Sequence, residues 1–192
     1  MPLPLSNLRM FLSASTRARS LLLTAALAAS LGAAGIAPLW AAPQDPPACG
    51  EFAWPVAREI KLFRASAIEP VMSGAALGAL PPTGVAVDLQ PQVTVEYVLA
   101  PGRAPKTEDS FGGILTIANV AQAGAYQVTA SEEAWIDVIQ NGKALASTAH
   151  TGREGCPDVR KSVRFDLDAG PLTIQVSDAP SLQIKLAILP AE

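Results

Sequence analysis

The 192-residue chain has one histidine, His150, and two cysteines, Cys49 and Cys156. A single imidazole leaves little material for a metal or acid–base site, and cysteines so far apart lack the close spacing of zinc ligands or reactive pairs. Aromatic residues are also scarce: beyond residue 41 there are two Trp, two Tyr and four Phe, too few for an evident stacking platform. The Gly-rich stretches at Gly74–Gly78 and Gly112-Gly113 have no Lys-Ser/Thr ending, so they read as turns and not as phosphate loops. The first 42 residues contain no Asp or Glu, while the whole chain has 17. Removing residues 1–41 takes three of the 14 basic residues with it and leaves 11 against 17, a net charge of −6. An acidic surface repels phosphate backbones, which argues against nucleic acid as a partner.

That acid-free start has Arg9, Arg17 and Arg19 ahead of an apolar run from Leu21 to Ala37, the order of a secretory signal. Cleavage after Ala41 fits best, because a cut after Ala37 or Ala42 places Pro next. Two rival readings are an uncleaved anchor, since a largely apolar run of 17 residues approaches the lower limit for spanning a bilayer, and a lipoprotein modified at Cys49. The small residues at the run's end favour a cleaved signal, and Pro46-Pro47-Ala48 before Cys49 disfavours lipidation. The expectation is a periplasmic or secreted protein with no stable membrane insertion after cleavage of residues 1–41. Both cysteines then reach an oxidising compartment and are expected to pair. Closing a loop of roughly 100 residues stabilises a fold by about 4–5 kcal/mol when chain entropy alone is counted.

After residue 41 the pattern predicts an extended leader, a short helix and a loop over 42–84, then a β-sandwich over 85–192. Val56, Ile60 and Phe63 recur at helical spacing within 54–67, and 68–84 is rich in Gly, Ala and Pro. From residue 85 the apolar period becomes two: Val85-Val87-Leu89, Val93-Val95-Tyr97-Leu99, then runs at 113–120, 125–130, 134–140, 163–167, 172–176 and 182–188. Residues 101–112 read as a surface loop. Asn141-Gly142 tolerates the positive φ angles of a type I′ turn, so 134–145 is a tight hairpin. With no helices between strands to make parallel crossovers, the fold class is all-β, an antiparallel two-sheet sandwich or jelly roll with one short N-terminal helix.

The runs Gly124-Ala125-Tyr126-Gln127-Val128 and Ile136-Asp137-Val138, followed by Val163-Arg164-Phe165-Asp166-Leu167 and Leu172-Thr173-Ile174-Gln175-Val176, carry a resemblance over residues 113–189. They resemble jelly-roll domains attached to secreted enzymes, including pre-peptidase C-terminal and carbohydrate-binding modules. Phe111-Gly112-Gly113, Ala134-Trp135-Ile136-Asp137-Val138, Ser147-Thr148-Ala149-His150 and Cys156 ahead of Arg160-Lys161 are similar to a family of small exported proteobacterial proteins. Some of these are labelled homogentisate dioxygenases, which implies an iron site of two histidines and a carboxylate. One histidine per chain departs from that pattern, so a single subunit cannot build it.

Strand parity sends Ile136 and Val138 to the core and Trp135, Asp137 and Ile139 to the other face; reversed parity makes Trp135 core. An outward Trp beside a carboxylate suits a sugar ring and its hydroxyls, whereas the scarcity of aromatics favours a structural Trp. Arg153, Arg160, Lys161 and Arg164 form the main basic cluster, read either as an anion site or as a solvated face paired with Glu154, Asp158 and Asp166. Any ligand site is expected to comprise Trp135, Asp137, His150 and Arg153, with Arg160 and Lys161 at its margin. The expected function is non-catalytic binding of a periplasmic protein or an envelope glycan, without a cofactor. The alternative is an enzyme, a metal-dependent dioxygenase or a hydrolase using Ser147 and His150, although no nucleophile elbow surrounds Ser147.

Overall fold

Alternation of apolar and polar side chains produces strands in most places where it was read. The computed structural model describes residues 44–65, 68 and 70–192, so the expected signal over 1–41 lies outside the described residues. A 3-10 turn, Pro47–Gly50, precedes the helix α1, Ala57–Arg64. The strands follow as β1 Pro70–Met72, β2 Ala75–Leu77, β3 Val85–Asp88, β4 Gln90–Pro91, β5 Phe111–Val120 and β6 Gly124–Ala130. After them come β7 Trp135–Gln140, β8 Lys143–Ala144, β9 Ala149–Gly152, β10 Lys161–Leu167, β11 Gly170–Ala179 and β12 Gln183–Pro190. One sheet has the order β1-β3-β12-β6-β10-β9, and the other β2-β5-β11-β7-β8 with β4 also on β5. The fold is mainly β and sandwich-like, with a single short helix.

The expected purely antiparallel pairing needs correction. β1 lies parallel to β3 and β2 parallel to β5, which makes both sheets mixed. These two edge strands occupy the 68–84 stretch expected to be a loop. Gly74, at φ 91°, turns the chain from one sheet to the other. Three-residue strands at an edge need little β propensity of their own, because a long neighbour supplies the ladder. The reverse correction applies to 93–99: this alternating run is a 3-10 turn, Gln92–Thr94, followed by irregular chain. Val93 is 82% exposed, whereas Val95, Tyr97 and Leu99 of the same apolar period are half-buried.

Between the sheets lies the main core, including Val87, Leu115, Ile117, Val128, Val138, Phe165, Ile174 and Leu186. Each outer face carries a cover. On the first sheet, Phe52, Trp54, Val56, Ile60 and Phe63 pack with Val159 and Ala187 into a second core. The Cys49–Cys156 disulfide stitches this cover to the segment after β9. On the second sheet, residues 92–110 lie across β11 and are bonded to its outward side chains: the Gln175 amide accepts from Leu99 N–H at 3.1 Å and donates to Leu99 C=O at 3.0 Å. Asn141 and Gly142 have φ of 53° and 71°, as the predicted hairpin turn requires.

Candidate functional site

The two sheets close against each other unequally at their margins. On one side β1 and β2 extend the sheets beyond β3 and β5. On the other, β8 is two residues long and pairs only with Ile139 and Gln140, so Trp135–Asp137 have β11 on one side and no strand on the other. The chain leaves β8 at Leu145 and crosses to the opposite sheet, where β9 pairs with β10. A cavity of about 600 Å³ opens at this crossing, between β7–β8 and β9–β10.

Its floor is apolar. Ile136 comes from the inward face of β7, Val163 and Phe165 from that of β10, and Leu145 from the crossing chain. Lys161 continues the inward row of Leu167, Phe165 and Val163 at a spacing of two, so it extends the core-facing side of β10 to the mouth. His150 is opposite Val163 in the register and shares that face. Ser147, Glu133 and Arg103 complete the rim with Trp135 and Asp137.

Trp135 and Asp137 lie on the outer face of β7, while Ile136 and Val138 enter the core, in agreement with the first parity reading. The pair is engaged internally. Trp135 Nε1 donates to Asp137 Oδ1 at 2.9 Å, and Asp137 Oδ2 accepts the Gly102 N–H at 3.0 Å. A Cβ at Gly102 would stand 2.8 Å from Asp137 Oδ1 and 3.1 Å from Trp135 Nε1, so a side chain there would force this pair to shift. Over the indole stand the Arg103 guanidinium, 4.9 Å from the ring centroid, and the Lys161 ammonium, at 5.4 Å. Arg103 is itself held by Asp178, Nη2 to Oδ2 at 2.8 Å.

Lys161 Nζ donates to the Ala134 carbonyl at 2.9 Å and makes no ion pair among the described residues. The nearby acid Glu133 is shared by Arg160, at 3.3 Å, and Lys106, at 3.9 Å. Burial lowers the Lys161 pKa below its ordinary value; Glu133 opposes the shift, and Arg103, Lys106 and Arg160 add to it. Tyr97, donating to the Val176 carbonyl at 3.1 Å beneath the 92–110 cover, is pushed up to about 12 by burial first and then by the Asp137 charge.

Of the six sequence-derived site residues, Trp135, Asp137, His150 and Lys161 line the mouth. Arg153 and Arg160 lie outside the lining. Arg153 stands 3.7 Å from Glu51, and Arg160 bonds Glu154 at 3.2 Å as well as Glu133. The segment holding His150, outside the alternating runs of the sequence, is strand β9, and the ladder with β10 supplies its order. Sequence reading missed Arg103 and Glu133, which reach the mouth from a loop and a turn without any periodic signal. Ser147 and His150 share the lining, with no hydrogen bond between them and no carboxylate paired to His150. Among the described residues no group of three or more His, Cys, Asp or Glu is placed to hold a metal, and no helix is long and apolar enough to cross a membrane. A second, open cavity of about 560 Å³ is lined by residues between Asp45 and Ile60 of the first sheet's cover and contains none of the six. No protein-family model, curated protein or solved structure matches this chain.

Proposed function

We propose that the chain is an exported, non-catalytic binding protein of the periplasm or secreted space, a jelly roll whose ligand enters the mouth between β7–β8 and β9–β10. The jelly-roll reading is supported by strand order. Taking β3, β5, β6, β7, β8, β10, β11 and β12 as first to eighth, one sheet runs 1-8-3-6 and the other 2-7-4-5, two interleaved Greek keys. Export is supported by the acid-free N-terminal pattern and by the Cys49–Cys156 disulfide.

The observation that carries the binding role is the mouth itself. Its volume of about 600 Å³ falls in the range of small-molecule sites, and it combines an apolar floor with a few convergent polar groups. A periplasmic protein or an envelope glycan would serve as the carrier of the group that enters. Native mass spectrometry of protein recovered from its own compartment tests this, with Leu145→Trp as a variant that fills the mouth. The wild type should retain an added mass that Leu145→Trp loses; wild type without any added mass sinks the proposal. N-terminal sequencing should begin at or near Ala42.

The enzymatic alternative draws on one observation, that Ser147 and His150 line the same mouth. Labelling by a fluorophosphonate, abolished in Ser147→Ala, would support it; an unlabelled wild type removes it.

A further inference from the structure

We infer that the mouth takes an amphipathic carboxylate, its acid group on Lys161 and His150 and its apolar body against Ile136, Val163 and Phe165. This deepens the proposed binding role and rests on it. The argument begins with the placement of Lys161. It extends an inward row whose other members, Val163, Phe165 and Leu167, belong to the core, and an ammonium there is partly withdrawn from water. Such a charge is disfavoured unless it is paired. Of its three donors, one is used on the Ala134 carbonyl, and no ion pair forms among the described residues.

The acids on the rim are occupied elsewhere. Glu133 serves Arg160 and Lys106, and both Asp137 oxygens accept hydrogen bonds, from the Trp135 indole and the Gly102 amide. The rim therefore offers a cation in want of an acceptor and no free carboxylate to draw a cationic ligand. His150, the diagonal neighbour of Lys161 on the same face, adds a second donor for one acid group. Arg103, the guanidinium on the rim, is committed to Asp178, so bidentate recognition of a phosphate is not on offer there and a singly charged acid matches the one unpaired ammonium. Behind the cation, Ile136, Leu145, Val163 and Phe165 form an aliphatic and aromatic floor, which suits a hydrocarbon body.

Equilibrium dialysis of the intact exported protein against labelled dodecanoate, dodecanol, dodecyltrimethylammonium and acetate, all below micellar concentrations, tests the inference. Dodecanoate should bind, the alcohol at least about tenfold more weakly and the other two not measurably, as expected for a charged hydrogen bond added to apolar contact. Lys161→Met should lose about tenfold for dodecanoate alone, and Lys161→Arg should keep most of it, with circular dichroism confirming that both fold. Equal binding of acid and alcohol, unchanged dodecanoate binding by Lys161→Met, or no binding of dodecanoate overturns the inference. If an added native mass is nonetheless found and lost in Leu145→Trp, the ligand class is wrong and the binding role stands; if both results fail, so does the role.

Discussion

Lys161 and Tyr97 show how position on a strand or under a cover sets a side chain's chemistry. Burial disfavours the Lys161 ammonium in the folded protein, so its pKa lies below the ordinary 10.5. Below that lowered pKa the folded state carries a penalty, which fades as pH rises towards 10.5. Lys161→Met should therefore stabilise the protein at pH 7 by denaturant titration, with the gain shrinking as the pH rises through the lowered pKa towards 10.5. Tyr97 behaves in the opposite sense, because its cover favours the neutral phenol and raises its pKa from 10.0 to about 12. Above pH 10.0 the unfolded chain ionises first, so this contribution to stability is lost between pH 10.0 and about 12. Ultraviolet titration of a Tyr126→Phe variant, which leaves Tyr97 as the only tyrosine, should give a midpoint near 12.

Two elements outside the sandwich are held by different forces. The 92–110 cover has few buried apolar side chains and is held instead by polar groups of β11 and β7. Gln175, buried at 1% exposure, imitates a neighbouring strand by bonding both backbone groups of Leu99. Gln175→Leu leaves the Leu99 N–H and C=O without those partners and should cost roughly 2–4 kcal/mol. Amide hydrogen exchange should speed up across residues 97–106 more than in β12. The N-terminal cover relies on apolar packing and on the Cys49–Cys156 bridge, whose ends are 107 residues apart. Thiol labelling in denaturant without reductant should find no free cysteine. Reduction should lower stability by roughly 4–5 kcal/mol.

Across the whole molecule, the first sheet is shared by two cores, the inter-sheet core on its inner face and the Phe52–Trp54–Phe63 cluster on its outer one. Melting that sheet removes one wall of both. Oxidised protein should therefore unfold in one transition, with tryptophan fluorescence and far-ultraviolet dichroism coincident. Separate midpoints would show that the N-terminal cover opens by itself. The 600 Å³ mouth is the place where the same architecture stays unfinished, since a two-residue β8 cannot carry its sheet far enough to seal the gap to β9 and β10.

Local chemistry alone determined the strands from β5 to β7 and β10 to β12, the Asn141-Gly142 turn and the helical spacing of Ile60 and Phe63, because each depends on neighbours within a few residues. Cysteine count alone gave the one possible bridge. Parity set Ile136 and Val138 on one face of their strand and Trp135 on the other, and the packing of the two sheets chose which face is inward. Only the tertiary structure decided that Val93–Leu99 is not a strand, since the Gln175 side chain of β11 binds the Leu99 backbone and the Tyr97 hydroxyl donates to the Val176 carbonyl, both more than 70 residues away. It likewise turned weakly β-forming residues at 70–77 and 149–152 into edge strands, because a long neighbour's free hydrogen bonds outweigh low propensity. The mouth belongs to this second kind: Arg103, Glu133, Leu145 and Lys161 meet because separate chain segments end there, and no period within the sequence records that meeting.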